Sequence, residues 1–308
     1  MNSKKRLPLL LFFISLIAVS CNREDDNLNP SSDITLLSLD AKKPEAPKEL
    51  EETMQVSPYF YEQLLFINHR GLVEYPENTF SAVKAAVNSG FKAVECDICM
   101  TKDNVFVLQH DATIDRCSNG TGRVNDMTYE ELLAYDFGSW KGSAFYGERI
   151  ARLDDLLDFF KHEGLIIELD LADESRFKRE WIPALYDLVK EKDMLGQTMF
   201  TATQAEFSKF LSTPRDIIIS VSGVYGMNDA IRALALRDKV TLCNFSVPQN
   251  YLNASLVKYA HDNGVKIKTW TTTTQEETDR CVNLGADYII TEVPLKQEST
   301  TNIPQIGV

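Results

Sequence analysis

Two acidic residues interrupt an apolar stretch, VECDICM, at residues 94–100. The stretch is typical of a buried β-strand, in which side chains alternate between two faces, so Glu95 and Asp97 point to the same side. Two adjacent carboxylates in a protein interior repel each other and lose hydration unless a cation neutralises them. The spacing therefore predicts a bound cation at this strand.

Further polar groups stand near the ends of neighbouring predicted strands: His69 and Arg70, His110, and the pair Glu168 and Asp170. Converging carboxylates suit a hard divalent cation, Ca²⁺ or Mg²⁺. Zinc is disfavoured, because no histidine or cysteine cluster has ligand spacing. Two histidines and an arginine beside such a metal suit phosphoester cleavage. In that chemistry the cations neutralise phosphoryl oxygens and the histidines move protons.

These groups are expected to be positioned by regularly alternating strands and helices. Eight main strands are predicted to begin near residues 66, 93, 165, 198, 217, 240, 265 and 286. This pattern favours an α/β fold, a (β/α)₈ TIM barrel over residues 59–296, with a tail at 297–308. No glycine-rich dinucleotide loop follows the first strand, which disfavours an open doubly wound sheet. Residues 111–150 are predicted to be a small insertion after the second strand region, on the face where such barrels build their sites.

Several other reactive residue types have structural interpretations. His162 and His261 each fall in the last turn of a predicted helix, where a positive charge suits the helix dipole. Cys96 and Cys99 lie on opposite faces of a strand and are expected to be core residues. Residues 76–79, PENT, predict a turn followed by a helix cap rather than chemistry.

The amino-terminal segment predicts export. Residues 1–20 have a basic start, an apolar run and small residues before Cys21, as a secretory signal does. The run is too short for an ordinary membrane-spanning helix. Ala18-Val19-Ser20-Cys21 resembles a bacterial lipobox, whose cysteine is lipidated after cleavage. Residues 21–58 are polar and contain prolines, so they are predicted to be a flexible tether. We expect an exported lipoprotein held at a membrane by a lipid on Cys21.

The charge limits the partners. The formal net charge is −13, and removal of residues 1–20, with their three basic side chains, changes it to −16. So acidic a surface argues against binding to nucleic acid or anionic lipid headgroups. An anionic substrate would therefore require local positive charge. The sequence does not indicate the oligomeric state.

The sequence resembles the glycerophosphodiester phosphodiesterase family along most of residues 66–294. The matching segments are HRG at 69–71, YPENTFSA at 75–82, VECDICMTKD at 94–103, LQHDATIDRCSNGTGRVNDMTYEEL at 108–132, GSWKGSAFYGERIARLDDLLDF at 138–159 and KTWTTTTQEETDRCVNLGADYIITEVP at 268–294. The resemblance implies a TIM barrel that uses one divalent metal ion to hydrolyse glycerophosphodiesters to glycerol 3-phosphate and an alcohol.

By position, the resemblance implies an acid/base pair (His69 and His110), a phosphate contact (Arg70) and three metal ligands (Glu95, Asp97 and Glu168). Which histidine is the acid stays open. Trp270 ends the seventh strand, where it either lines the pocket or packs in the core.

One position departs from the family pattern: a lysine usually lies two residues after the third metal ligand, and Asp170 stands here. Two accounts remain open. Asp170 joins the metal ligands and adds an oxygen. Alternatively, Lys268, which strand alternation points into the barrel, supplies the lost charge and contacts Asp170 or the phosphate. A smaller departure, Glu292 in place of aspartate, is expected to affect the rim of the site.

The leading functional hypothesis is an exported, lipid-anchored, metal-dependent phosphodiesterase acting on small glycerophosphodiesters. One alternative is a phospholipase, or a phosphodiesterase with another substrate. A second is a binding lipoprotein that lost turnover through the change to Asp170. The retention of both histidines and all three metal carboxylates argues against the second alternative.

Overall fold

The computed structural model describes residues 55–205, 216–235, 237 and 240–295. Its strands are β1 (Leu65–His69), β2 (Ala93–Met100), β3 (Phe106–Leu108), β4 (Ile166–Asp170), β5 (Thr198–Thr203), β6 (Ile218–Ser222), β7 (Leu242–Pro248), β8 (Lys266–Thr272) and β9 (Tyr288–Thr291). All except β3 are parallel, and they close in the order β1-β2-β4-β5-β6-β7-β8-β9, with β9 paired to β1. This is the predicted (β/α)₈ barrel, and each strand begins within two residues of its predicted start.

Helices cover the outside of the barrel. Within the described residues they are α1 (Phe80–Asn88), α2 (Tyr129–Leu132), α3 (Leu153–Glu163), α4 (Ile182–Glu191), α5 (Met227–Leu234), α6 (Ala254–Asp262) and α7 (Gln275–Leu284). Thr79 caps α1 by accepting the Ala82 N–H, as the PENT motif predicted. His162 and His261 lie in the last turns of α3 and α6, also as predicted.

Strand alternation separates the apolar core from the polar interior of the barrel mouth. On β2, Val94, Cys96 and Ile98 are buried in the apolar layer between the strands and the helices. Glu95 and Asp97 therefore point into the barrel. The cysteines of the described residues are all free, and Cys99 is buried in a second apolar cluster, separate from that of Cys96. Cys96 and Cys99 are therefore both core residues, as the sequence predicted.

Phe60 closes the amino-terminal end of the barrel, which we call the floor. It packs in an apolar cluster with inward-facing strand residues such as Ile67 and Ile218, and its carbonyl accepts the Tyr288 hydroxyl at 2.6 Å. Ser57 is buried, and its N–H donates to the Gly196 carbonyl at 2.8 Å. The sequence placed Ser57 in the tether over residues 21–58. The structure includes it in the barrel, because the residues around Ser57 and Phe60 cover the floor.

Residues 111–150 form the predicted insertion and have a small core of their own. β3 runs antiparallel to the end of β2 and leads into the insertion. Inside it, Asp136 accepts hydrogen bonds from the N–H groups of Gly138, Ser139 and Gly147 and from the Ser139 hydroxyl. This carboxylate therefore organises the loop that returns to the barrel.

The predicted signal peptide (1–20), most of the predicted tether and the tail (297–308) lie outside the described residues. No helix of the described part of the chain is both long enough and apolar enough to span a bilayer.

Candidate active site

A cavity of about 380 Å³ opens at the carboxyl end of the barrel strands. Eight of the nine predicted site residues line it, and Asp97, the ninth, is fully buried. The site therefore lies where barrel enzymes place their functional groups.

Three carboxylates converge beside this cavity. Oxygen atoms of Glu95, Asp97 and Asp170 lie within 4.8 Å of one another. Glu95 Oε2 and Asp97 Oδ1 are buried and accept no hydrogen bond from the described residues. Burial and the neighbouring Asp97 raise the pKa of Glu95 well above its usual range. A buried Glu95 oxygen without a hydrogen bond, close to two further carboxylates, fits a hard divalent cation such as Ca²⁺ or Mg²⁺.

Glu168, the third ligand that the resemblance implied, has a different environment. Its Oε1 is paired with the Lys268 amine and accepts the Thr201 hydroxyl at 2.6 Å. Its Oε2 has no hydrogen-bond partner. The third carboxylate of the cluster is Asp170; the account in which Asp170 joins the metal ligands and adds an oxygen stays a prediction.

Lys268 points into the barrel, as strand alternation predicted, and is fully buried. Of the two partners predicted for it, Asp170 is wrong, and the phosphate stays a prediction. The amine pairs with Glu168 and donates to the Thr201 hydroxyl at 2.8 Å. Asp170 turns toward the mouth, where it accepts the Ala172 N–H at 2.8 Å and lies 3.5 Å from the Arg176 guanidinium. The lysine thus neutralises the more deeply buried of the two carboxylates on β4.

Asp97 is surrounded by donors. Arg70 Nε lies 2.9 Å from Oδ2, and Arg176 Nη2 lies 3.4 Å from Oδ1. Asn78 donates to Oδ2 at 2.8 Å and accepts the Asp97 N–H at 3.1 Å. Burial alone would raise the pKa of Asp97, but the two guanidinium groups hold it below its usual range. Arg70, the predicted phosphate contact, therefore also neutralises a predicted metal ligand.

Each predicted catalytic histidine is held by a carboxylate. His69 Nδ1 lies 2.9 Å from Glu292 Oε1, and its Nε2 lies 4.0 Å from Glu95 Oε2. His110 Nδ1 lies 2.7 Å from Asp111 Oδ1. Because carboxylates accept hydrogen bonds, Nδ1 carries a proton in both rings.

A chain of alternating charges connects the insertion to the loop after β1. Arg116 Nε donates to Asp111 Oδ2 at 2.8 Å, and its Nη1 donates to Glu77 Oε2 at 2.8 Å. Glu77 in turn accepts from Arg70 Nη1 at 3.2 Å. The two loops that carry His110 and Arg70 are therefore fixed relative to each other.

Sequence reasoning missed the site roles of Asn78, Arg176 and Glu292. Asn78 was assigned to a turn, and Glu292 to the rim. Arg176 is nearly fully buried between Asp97 and Asp170, but three basic residues occur within residues 176–179 and nothing in the sequence distinguishes this one. Trp270 lines the cavity and is 37% exposed, so it does not pack in the core.

The closed parallel barrel, with a charged cavity at the carboxyl ends of its strands, places the chain in the TIM-barrel class. Residues 69–296 match the Glycerophosphoryl diester phosphodiesterase family. The chain therefore belongs to this family, as its resemblance implied, and is an enzyme.

Individual relatives agree with this assignment. The chain is 32% identical over 235 residues to YhdW of Bacillus subtilis, a match that covers 75% of this chain and 95% of YhdW. It is 30% identical over 262 residues to a glycerophosphodiester phosphodiesterase of Caldanaerobacter subterraneus, covering 79% of this chain and 98% of that one. An Oleispira antarctica phosphodiesterase, solved in complex with sn-glycerol-3-phosphate, has the same fold: the TM-score is 0.68 at 22% identity, over 78% of this chain and 96% of the other.

Proposed function

We propose that this protein hydrolyses glycerophosphodiesters to glycerol 3-phosphate and an alcohol, with one divalent cation, Ca²⁺ or Mg²⁺, in its site. The observation that carries the proposal is the joint placement of His69 and His110, each held by a carboxylate, beside buried carboxylate oxygens that accept no hydrogen bond from the described residues. The family and the glycerol 3-phosphate complex of the Oleispira protein support the substrate class.

Glu95, Asp97 and Asp170 are the residues that would hold the cation. When bound, it would supply positive charge to the phosphoryl oxygens. Arg70, at the edge of the cavity, adds a second positive charge for the phosphate. One histidine, as the neutral ring, takes a proton on Nε2 from the nucleophile, which is water or a substrate hydroxyl, and the other, as the imidazolium, gives its Nε2 proton to the leaving alcohol.

The test is release of glycerol 3-phosphate from glycerophosphocholine by the purified protein with Ca²⁺, Mg²⁺ or EDTA. We expect cation-dependent release that falls by about a hundredfold or more in His69→Ala and in His110→Ala. His162→Ala, in the last turn of α3, is the matched control and should retain activity. Absence of release from the folded protein with either cation would contradict the proposal and favour a binding protein. Cleavage of intact phospholipid alone would indicate a phospholipase.

We also propose that the mature protein is exported and carries a lipid on Cys21, which holds it at a membrane. The signal-like residues 1–20 and the lipobox-like ending support this. Metabolic labelling with a radioactive fatty acid should mark the wild type and not Cys21→Ser, whereas Cys243→Ser, at a free cysteine of the barrel, should still be labelled. Equal labelling of both variants would place the lipid elsewhere.

A further inference from the structure

Two serine hydroxyls on the cavity wall have no hydrogen-bond partner among the described residues. Ser222 ends β6 and Ser246 lies on β7, and both line the cavity. They are 6% and 1% exposed, and neither Oγ atom makes a hydrogen bond. Buried hydroxyls are normally hydrogen-bonded, so a pair left unpaired on one wall calls for a ligand that pairs them.

Strand register brings the two hydroxyls side by side. Val221 pairs with Phe245, so the next residues, Ser222 and Ser246, are neighbours that both point inward. One level deeper in the barrel, the equivalent register pair is Ser220 and Asn244. These two side chains bond to each other, since the Ser220 hydroxyl donates to Asn244 Oδ1 at 2.6 Å. On these two strands, the serine hydroxyls without a hydrogen bond are therefore those that face the cavity.

The serines lie across the barrel from His69, Glu95 and Asp170; the charged neighbour of Ser246, Lys268 on β8, is already paired with Glu168. His69, Glu95 and Asp170 lie on β1, β2 and β4, whereas the serines lie on β6 and β7. A phosphodiester whose phosphate occupies the charged half extends one of its two arms toward the serines. A serine hydroxyl both donates and accepts, so two of them match an arm that carries vicinal hydroxyl groups.

We propose that Ser222 and Ser246 form the subsite for the glycerol moiety of the substrate and select a polyol arm over an apolar one. This inference rests on the proposed function and names the part of the cavity that recognises the glycerol. Because both side chains stand on barrel strands, the subsite is already formed before the substrate binds.

The experiment compares binding of two product-like ligands, glycerol 3-phosphate and n-propyl phosphate, by titration calorimetry with the divalent cation present. The wild type should bind glycerol 3-phosphate about tenfold or more tightly than n-propyl phosphate. Ser222→Ala and Ser246→Ala should each weaken glycerol 3-phosphate binding about threefold to tenfold and leave n-propyl phosphate binding unchanged. With glycerophosphocholine, the variants should raise KM more than they lower kcat.

Ser57→Ala is the matched control, because Ser57 is also buried with an unpaired Oγ but lies at the barrel floor. It should leave both affinities unchanged. A double Ser222→Ala/Ser246→Ala variant that still prefers glycerol 3-phosphate would overturn the inference, as would an equal loss in Ser57→Ala. If the wild type releases glycerol 3-phosphate from glycerophosphocholine, such a result refutes the subsite alone. If it releases none, the proposed function fails, and the binding comparison still decides the subsite.

Discussion

Asn78 holds Asp97 with both ends of its side-chain amide. Nδ2 donates to Asp97 Oδ2 at 2.8 Å, and Oδ1 accepts the Asp97 N–H at 3.1 Å. Asn78 has a φ of 56°, a left-handed conformation that asparagine adopts more readily than most residues. The loop after β1 thus fixes the position of a carboxylate on β2.

Asn78→Ala should therefore damage the cation site. We expect about a tenfold to hundredfold loss of Ca²⁺ affinity, because the orientation of Asp97 is lost. The free energy of unfolding should fall by about 1–3 kcal/mol. Calorimetric Ca²⁺ titration and urea unfolding measure the two effects. Asn104→Ala, at an exposed turn with a φ of 65°, controls for backbone strain and should leave Ca²⁺ affinity intact. Equal affinity losses in both variants would contradict the role of Asn78.

The buried pair of Lys268 and Glu168 should show strong energetic coupling. Lys268→Met leaves an uncompensated carboxylate and should cost about 3–5 kcal/mol of unfolding free energy. The double variant Lys268→Met/Glu168→Gln should recover part of this loss, because no charge is left unpaired. Lys258→Met, which breaks an exposed pair with Asp262, should cost less than about 1 kcal/mol. Strictly additive effects at residues 268 and 168 would rule out the coupling.

Removal of the cation should expose which carboxylates bind it. Saturation with Ca²⁺ at about 100 times its dissociation constant should add about 2.7 kcal/mol to the stability of the EDTA-treated protein. Asp170→Asn should reduce this gain more than Glu168→Gln, because one oxygen of Glu168 is already paired with Lys268. Asp173→Asn is the control, because Asp173 lines the cavity but is not one of the three clustered carboxylates. It should leave the stability gained from Ca²⁺ unchanged. A larger effect of Glu168→Gln would assign the third ligand to Glu168.

Glu292 should act by positioning His69. Its Oε1 accepts from Nδ1, and this hydrogen bond holds the pKa of Glu292 below its usual range. Glu292→Gln should lower kcat about tenfold to a hundredfold with little change in KM, as part of the acid/base contribution is lost. Glu292→Asp keeps the charge and should restore most of the activity. If both variants behave alike, the charge of this side chain has no role in orienting the imidazole.

Asp136 should make the insertion sensitive to acid. Burial alone would raise its pKa, but hydrogen bonds from Gly147, Ser139 and Gly138 hold the pKa below its usual range. A depressed pKa stabilises the fold above the unfolded value of about 3.9, and this contribution is lost as the pH falls further. Asp136→Asn should therefore be less stable than wild type near about pH 7, with a gap that narrows below about pH 4.

Urea unfolding at several pH values measures that gap. Asp126→Asn, an exposed change in the same insertion, should track the wild type throughout. A gap between wild type and Asp136→Asn that stays constant from neutral to acid pH would show that the Asp136 charge does not contribute.

The sequence was sufficient for features that depend on local periodicity. Alternation along β2, β4 and β8 predicted that Glu95, Glu168 and Lys268 point into the barrel, and they do. Pairing across the barrel was not predictable in the same way. Glu168 and Asp170 share one strand face, so alternation alone could not decide which of them Lys268 contacts. The contact that forms joins Lys268 to Glu168, 100 positions earlier in the chain.

Two further features depended on backbone conformation and docking. The cap motif predicted a helix cap at Asn78 or Thr79, and Thr79 is the cap. The contact of Asn78 with Asp97 requires a left-handed φ and a neighbour 19 residues away. The start of the barrel was predicted too late because Ser57 belongs to a polar, tether-like stretch. Its burial results from docking against Gly196 near the start of β5, a contact that leaves no local pattern.

Phe60 and Ser57 also fix the end of the barrel at which the described chain enters. That end is the floor, whereas His69 and His110 stand at the other end. An attachment through the amino-terminal chain, such as the lipid proposed on Cys21, would therefore join the barrel at the end remote from the catalytic cavity. Because the intervening residues are predicted to be flexible, such an anchor would limit how far the enzyme diffuses without fixing the direction in which the cavity faces.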